Sequence, residues 1–529
     1  MNATERFPAM KRRRRRAAIL VAGGASWLLV AVACTTTLTG GLNLVTGPDN
    51  GFAQNPQPTT LKIALVNSNG DATTVAQGPI GGDASLSIPP QSGANVDIIQ
   101  VTGYDDAGDA VVFGSTIPIA LDQLSGLTLN VFVQRTGQFS RLPSADGGTG
   151  LFQWVDGGAI SRAPLMTTLY SRYLLVADGT GKSTNTQLYD TLTWQVDPQP
   201  PPLPIAPLSL VYIDTWTGTD ASVDGGATSI AALLALGKNG AASWLDLTDS
   251  TGTSVDAEVY SEAGNLPAPG EFTAVAGGQT LVTNGSNGNT YVVGGTRLTG
   301  GATNGVLRVS PTGVFSWTTL LYAREGATAV YANNGVFVFG GNAPKGDGGT
   351  AAGVEYFEDT AASATPIGYG VPTDTTTGAG GVALDTDTIL IAGGVLPDGA
   401  PAPIRQFSIA ALNKLSSNPG SLDAGVTEWM QLPVSLTSAQ VYGISPTTAP
   451  QGASALVIGN VAVPPKVDGA IPASDAAAPG TTLAYIITRT SVTPVKFQVP
   501  RANGQSALLP NLSVAVVGGD SGTIESFVP

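Results

Sequence analysis

The groups able to do chemistry in this 529-residue chain are acids, hydroxyls and one thiol, because histidine is absent altogether. That removes the commonest general base, the Ser-His-Asp triad and any imidazole metal site. Two carboxylates alone suffice for glycoside hydrolysis. Asp385 and Asp387, in ALDTDTIL, are the candidate pair, but they fall in a turn between apolar runs, where carboxylates are ordinarily solvated. Asp105-Asp106-Ala107-Gly108-Asp109 has the oxygen ligands that calcium takes. Asp and Gly between two strand-like runs are also the ordinary composition of a hairpin turn, and the turn is the expected role. There is no glycine-rich phosphate loop preceding a helix. The residues therefore assign no catalytic, cofactor or metal site.

The thiol is the most specific signal. Cys34 is the only cysteine, so no disulfide can form within the chain. It follows the basic run of residues 11–16 and the apolar run of residues 17–33, an order that describes a secretory signal over residues 1–33. Met10 directly precedes the basic run and offers an alternative start. Ala31-Val32-Ala33-Cys34 resembles a bacterial lipobox, although Leu is more usual three positions before the cysteine and Ala or Ser two before. The resemblance implies lipidation of Cys34 after cleavage and an address in the bacterial cell envelope. Thr35 rather than Asp after it agrees with outer-membrane sorting under the enterobacterial rule. An uncleaved anchor is the alternative, although seventeen apolar residues lie at the short limit for a span.

Residues 1–33 hold seven of the 24 basic residues and one of the 38 acidic ones, leaving 17 against 37, net −20. That charge argues against nucleic acid as a partner and against any membrane contact beyond the lipid. Of the whole chain, 42% is apolar and only 12% charged, with 68 Gly and 37 Pro. This composition points to an all-β protein with ample cores and many turns.

The elements that would position these groups repeat. VFVFGGN, residues 336–342, has near-copies in TYVVGGT, TILIAGG and SVAVVGG, with weaker relatives in YLLVADG, AALLALG and ALVIGN. The marks at Asp178, Gly237, Gly294, Gly340, Gly393, Gly459 and Gly518 are 59, 57, 46, 53, 66 and 59 residues apart. Arg162, Arg324 and Arg501 precede marks by 16, 16 and 17 residues. Tyr189, Glu355, Tyr356, Glu525 and Phe527 follow them, and Trp194, Trp317 and Trp429 come later still. A continuous apolar run suits a strand buried on both faces, and a following glycine permits positive φ and close backbone approach.

This pattern resembles the Kelch family over residues 143–529. The resemblance implies a β-propeller with one four-stranded blade per repeat, seven blades by this count or six if the second or sixth mark is misread. The absent histidines exclude the copper-radical oxidases that share that fold. Ser144-Ala145-Asp146-Gly147-Gly148 begins a sialidase-type box, but Trp154 comes two positions late.

Before the propeller, residues 34–59 read as the lipidated cysteine and a flexible tether reaching at most about 80–90 Å. Residues 60–141 read as a small antiparallel sandwich resembling an immunoglobulin-type domain, and 142–529 as the propeller. The last repeat lacks a fourth strand, and LFQWV at 151–155, carrying Trp154, is expected to supply it. The tryptophans are expected to pack blades rather than stack sugars. The loops after each second strand, at 296–305, 342–353, 395–403 and 460–482, are where a partner is expected to bind. The resulting expectation is a non-catalytic envelope scaffold for a protein or glycan, without a cofactor. The alternative is a carboxylate-dependent polysaccharide hydrolase of the envelope.

Overall fold

The computed structural model describes residues 41–67, 69–80, 96–120, 128–143, 164–196, 202–216, 230–238, 241–248, 256–260, 275–277, 280–283, 288–297, 300–341, 354–359, 361, 364–367, 376–412, 426–444, 454–463, 477–519 and 522–529. The expected signal, Cys34, the Ser144 box, LFQWV and Arg162 lie outside them. Strands make up nearly all the regular structure of the described residues.

Each sequence mark closes the second strand of a four-stranded antiparallel meander. Five meanders are separate sheets; two more share an eight-stranded sheet, joined at the single pair Gly394↔Leu436. The second strands are Tyr173–Asp178, Ile230–Leu236, Thr290–Val293, Gly335–Phe339, Thr388–Val395, Ser454–Val461 and Val514–Val517. They are apolar without alternation because each divides its two faces between two cores. Leu174 and Val176 enter a core with Ala515 and Val517 of the seventh meander, while Leu175 and Ala177 join Leu233 and Ala235 of the second. Val336 and Val338 face the third meander, and Phe337 and Phe339 the fifth. Similar cores join the second meander to the third, the fifth to the sixth and the sixth to the seventh. The succession thus returns to the first meander, and no apolar face of these strands is left over. Each fully buried Val, Leu, Ile or Phe contributes about 1.5–3 kcal/mol.

The glycine pairs have a definite task. Gly340 and Gly341 have φ of 59° and 91°, and left-handed backbone recurs at Gly294–295, Gly393–394 and Gly518–519. A Cβ on Gly340 would lie 2.4 Å from the Thr376 carbonyl oxygen, and Gly341 N–H donates to that same oxygen at 2.7 Å. The pair therefore ties a meander to the entry of the next. The weaker marks at Asp178, Gly237 and Gly459 keep the strand without the left-handed pair.

The arginines before the marks lock the same corner from inside. Arg324 Nε donates to Glu355 Oε2 at 2.7 Å, its Nη1 donates to the Gly340 carbonyl, and both side chains are 0% exposed. Glu355 also accepts the backbone N–H groups of Leu321 and Tyr322. The seventh meander repeats the clasp. Arg501 bonds Glu525 at 3.0 Å and the Gly518 carbonyl at 3.3 Å, while Glu525 accepts Gln498 and Val499 N–H. Burial draws the Arg501 pKa down and Glu525 opposes it; the guanidinium stays protonated. In the sixth meander neutral groups serve instead, with Asn460 bonding Thr482 Oγ1 and the Gly504 carbonyl.

Three expectations for the N-terminal region are corrected. First, residues 41–59 are not a tether. Gly41–Val45 pairs in parallel with Thr128–Arg135, because Leu42 and Leu44 add to the core of Ile63, Ile99 and Val131. The following turn is fastened by Asp49, which accepts Arg141 Nη2 at 2.6 Å and Arg141 N–H at 2.7 Å. A Cβ on Gly47 would lie 1.9 Å from the Arg141 carbonyl oxygen, so only glycine fits there. Second, the described strands from Gly41 to Arg135 join into one seven-stranded sheet rather than the two sheets of a sandwich. Third, the strand completing the seventh meander is Phe139–Arg141, paired with Glu525–Phe527, so the expected boundary at 142 cuts through a sheet. Phe139 is fully buried 4.3 Å from Phe497 and 5.4 Å from Phe527, ring to ring, and this aromatic cluster selects the closing strand.

Candidate functional site

The acidic candidates serve as turn formers. Asp105 Oδ1 accepts the N–H groups of Ala107 and Asp109 at 3.0 and 2.9 Å, closing the hairpin between Val96–Tyr104 and Ala110–Ser115. Asp385 accepts Asp387 N–H at 2.8 Å, and Asp387 takes Ala410 N–H at 2.7 Å and Ser408 Oγ at 3.0 Å, capping a helical turn at 409–412. Among the described residues, no three acids, histidines or cysteines group so as to hold a metal.

The described tryptophans of the repeat are packing residues. Trp194 lies 5.2 Å from Phe132 and donates Nε1–H to the Asn130 carbonyl at 3.1 Å, fixing the first meander to the N-terminal sheet. Trp429 is buried and bonds Gln406 at 3.0 Å. Trp317 packs against the core that holds Trp244 and Val292. Trp154 lies outside the described residues.

Beside Trp194, Asp190 accepts Arg172 at 2.9 and 2.7 Å, Leu192 N–H at 2.9 Å and Thr193 Oγ1 at 2.8 Å. Burial alone would raise its pKa, but the arginine and these hydrogen bonds outweigh burial and hold it below the usual aspartate value. A carboxyl depressed in this way stabilises the fold above its unfolded pKa of about 3.9, and that contribution is lost as pH falls through the lower folded value. Stability should therefore drop below about pH 4, and Asp190→Asn should blunt the drop. Urea midpoints at pH 6 and pH 3 check this; an equal acid loss in both proteins would remove Asp190 as its source.

Sequence reasoning missed a cavity of about 560 Å³ among the first strands of six meanders. Its walls include Pro164 to Met166, Leu210, the 326–329 and 378–381 segments, Ser438 to Tyr442, and Gln505 with Ser506. Gly, Ala and Ser dominate these strands, so neighbouring backbones approach closely: a Cβ on Gly380 would lie 2.5 Å from the Ala439 carbonyl oxygen. Antiparallel pairing sets the lining beside the ends of the second strands, as in Thr377↔Val395 and Gln505↔Val517. The cavity is therefore a well at the end of the meanders where the expected binding loops begin. Of those loops, 395–403 is fully described, and Ser435 Oγ fastens it through the Gly399 carbonyl at 2.7 Å. Loop 342–353 lies outside the described residues, and 296–305 and 460–482 are described in part.

Among the described lining residues there is no Asp, Glu, Lys or Arg. The polar groups are amides and hydroxyls. Ser506 N–H donates to Gln440 Oε1 at 2.8 Å, Ser506 Oγ donates to that same oxygen, and Tyr442 donates to Ser506 Oγ at 3.1 Å. Burial raises the Tyr442 pKa well above the ordinary tyrosine range, so the phenol remains a donor. The sequence signal for the well was the small and amide residues at the start of each repeat, as in TSAQVYG and GQSALL. Such composition also suits an ordinary turn.

No family model matches the chain, and no curated protein matches it.

Proposed function

We propose that the seven meanders are the blades of a Kelch-type β-propeller. On this reading the chain is a non-catalytic binding scaffold for a protein or glycan, held in the bacterial cell envelope by a lipid on Cys34. The closed succession of cores and the recurring glycine and Arg–Glu corners support the propeller. The observation that carries binding is the well, a concave site with neutral polar groups set on rigid strands. Its volume falls within the roughly 300–1,000 Å³ usual for small-ligand sites.

Two measurements test this reading. Cys34→Ala should abolish incorporation of labelled fatty acid, and equal labelling would remove the anchor. Purified protein should co-sediment with isolated envelope fragments, and Gln505→Trp, which fills the well, should reduce retention at least tenfold with melting unchanged. Undiminished retention would move binding off the well, and release of reducing ends would favour the hydrolase.

A further inference from the structure

We infer that the well accepts the end of a neutral saccharide, with Gln440, Gln505 and Ser438 as the groups that recognise its hydroxyls. This rests on reading the well as the binding site.

The orientation of Gln440 is fixed by its neighbour. A backbone N–H can only donate, so the amide atom facing Ser506 N–H must be the oxygen. Gln440 Oε1 is then occupied by both Ser506 donors, with the Tyr442 hydroxyl at 3.3 Å. Its Nε2, with two N–H donors, makes no hydrogen bond within the described chain although Gln440 lines the well. Gln505, half-buried in the next meander, also lines the well and makes no side-chain hydrogen bond there; nor does the Ser438 hydroxyl, on the residue two before Gln440. Three neutral polar residues from two adjacent meanders thus line one cavity, with the Gln440 N–H donors, the Gln505 carboxamide and the Ser438 hydroxyl unspent.

The chemistry selects among ligands. A carboxylate or phosphate would lose its hydration and find no cation among the described lining residues, and an ammonium group would find no acid among them. A sugar hydroxyl both donates and accepts, which matches a carboxamide that offers one function or both. Leu165, Met166 and Leu210 supply apolar wall for the C–H faces of a ring. First strands of six meanders line the cavity, so its walls surround a ligand from several sides. It therefore suits a chain end better than an extended peptide.

The test is titration of the protein with glucose, galactose, N-acetylglucosamine and their disaccharides, with glucuronic acid and glucose 6-phosphate as charged counterparts. At least one neutral sugar should bind saturably, and its charged counterpart at least tenfold more weakly. Gln440→Glu keeps the acceptor for Ser506 and removes the N–H donors; Gln505→Ala breaks no internal bond. Each should weaken binding about tenfold with the melting temperature unchanged. Absence of saturable binding by every neutral sugar, equal binding of the charged ones, or indifference to both variants would overturn the assignment. If envelope retention still falls in Gln505→Trp while the sugars fail, the scaffold stands and only the ligand class is wrong.

Discussion

A chain that begins at Pro143 is expected to aggregate or unfold without a cooperative transition, whereas one that begins at Leu38 melts as a single unit. The shorter chain lacks Phe139–Arg141, so the Glu525–Phe527 strand becomes an open edge and the cluster of Phe139, Phe497 and Phe527 is emptied. It also loses Gln134, which receives the buried Ser526 hydroxyl at 2.7 Å, and the Gln498 side chain loses the Phe139 carbonyl that it bonds at 2.8 Å. The single replacement Phe139→Ala isolates the packing part and should cost about 3–5 kcal/mol, read from urea unfolding. Equal melting temperatures for the two chain lengths would show that closure lies elsewhere.

The second large effect belongs to the buried ion pair. Arg324→Met should destabilise by about 3–5 kcal/mol, because it leaves the Glu355 carboxylate without its cation where neither side chain is exposed. Adding Glu355→Gln should recover part of that loss, since the neutral amide oxygen still accepts from Leu321 and Tyr322. The double-mutant cycle separates charge from hydrogen bonding. A single-variant loss under about 1 kcal/mol, or strict additivity, would mean that the pair is not what fixes the corner.

Much of this architecture was legible because burial on two faces leaves a sequence trace. A run such as VFVF cannot be half-solvated, and Gly340–Gly341 behind it announces left-handed backbone. Arg324 and Glu355 were visible as marks in step with the repeat, but their pairing was not, since 31 residues separate them and only the fold brings them together. The region 41–59 misled because Thr, Gly, Asn and Pro dominate it, and five residues, GLNLV, decide its fate. The closing strand was missed for a related reason. LFQWV carries a tryptophan and looks like a fourth strand, while FSR is three residues long with Phe139 as its one large apolar side chain. The well was least legible. Its lining comes from first strands rich in Gly and Ala, whose side chains say little, and its polar groups matter only because six segments distant in sequence converge.

The pairing of Phe139–Arg141 with Glu525–Phe527 also dictates an order of events. Gln134 and Ser526 are 392 residues apart, so at roughly 5–20 residues per second the early partner waits about 20–80 s for the late one. Intermediate meanders can assemble on their neighbours during that time, but the final one cannot. Phe139 and its short strand lack this partner until Glu525–Phe527 arrives. Filling of this last core is thereby a check that synthesis has passed Phe527. A product cut short before Glu525 keeps an apolar edge open and remains recognisable to chaperones and proteases.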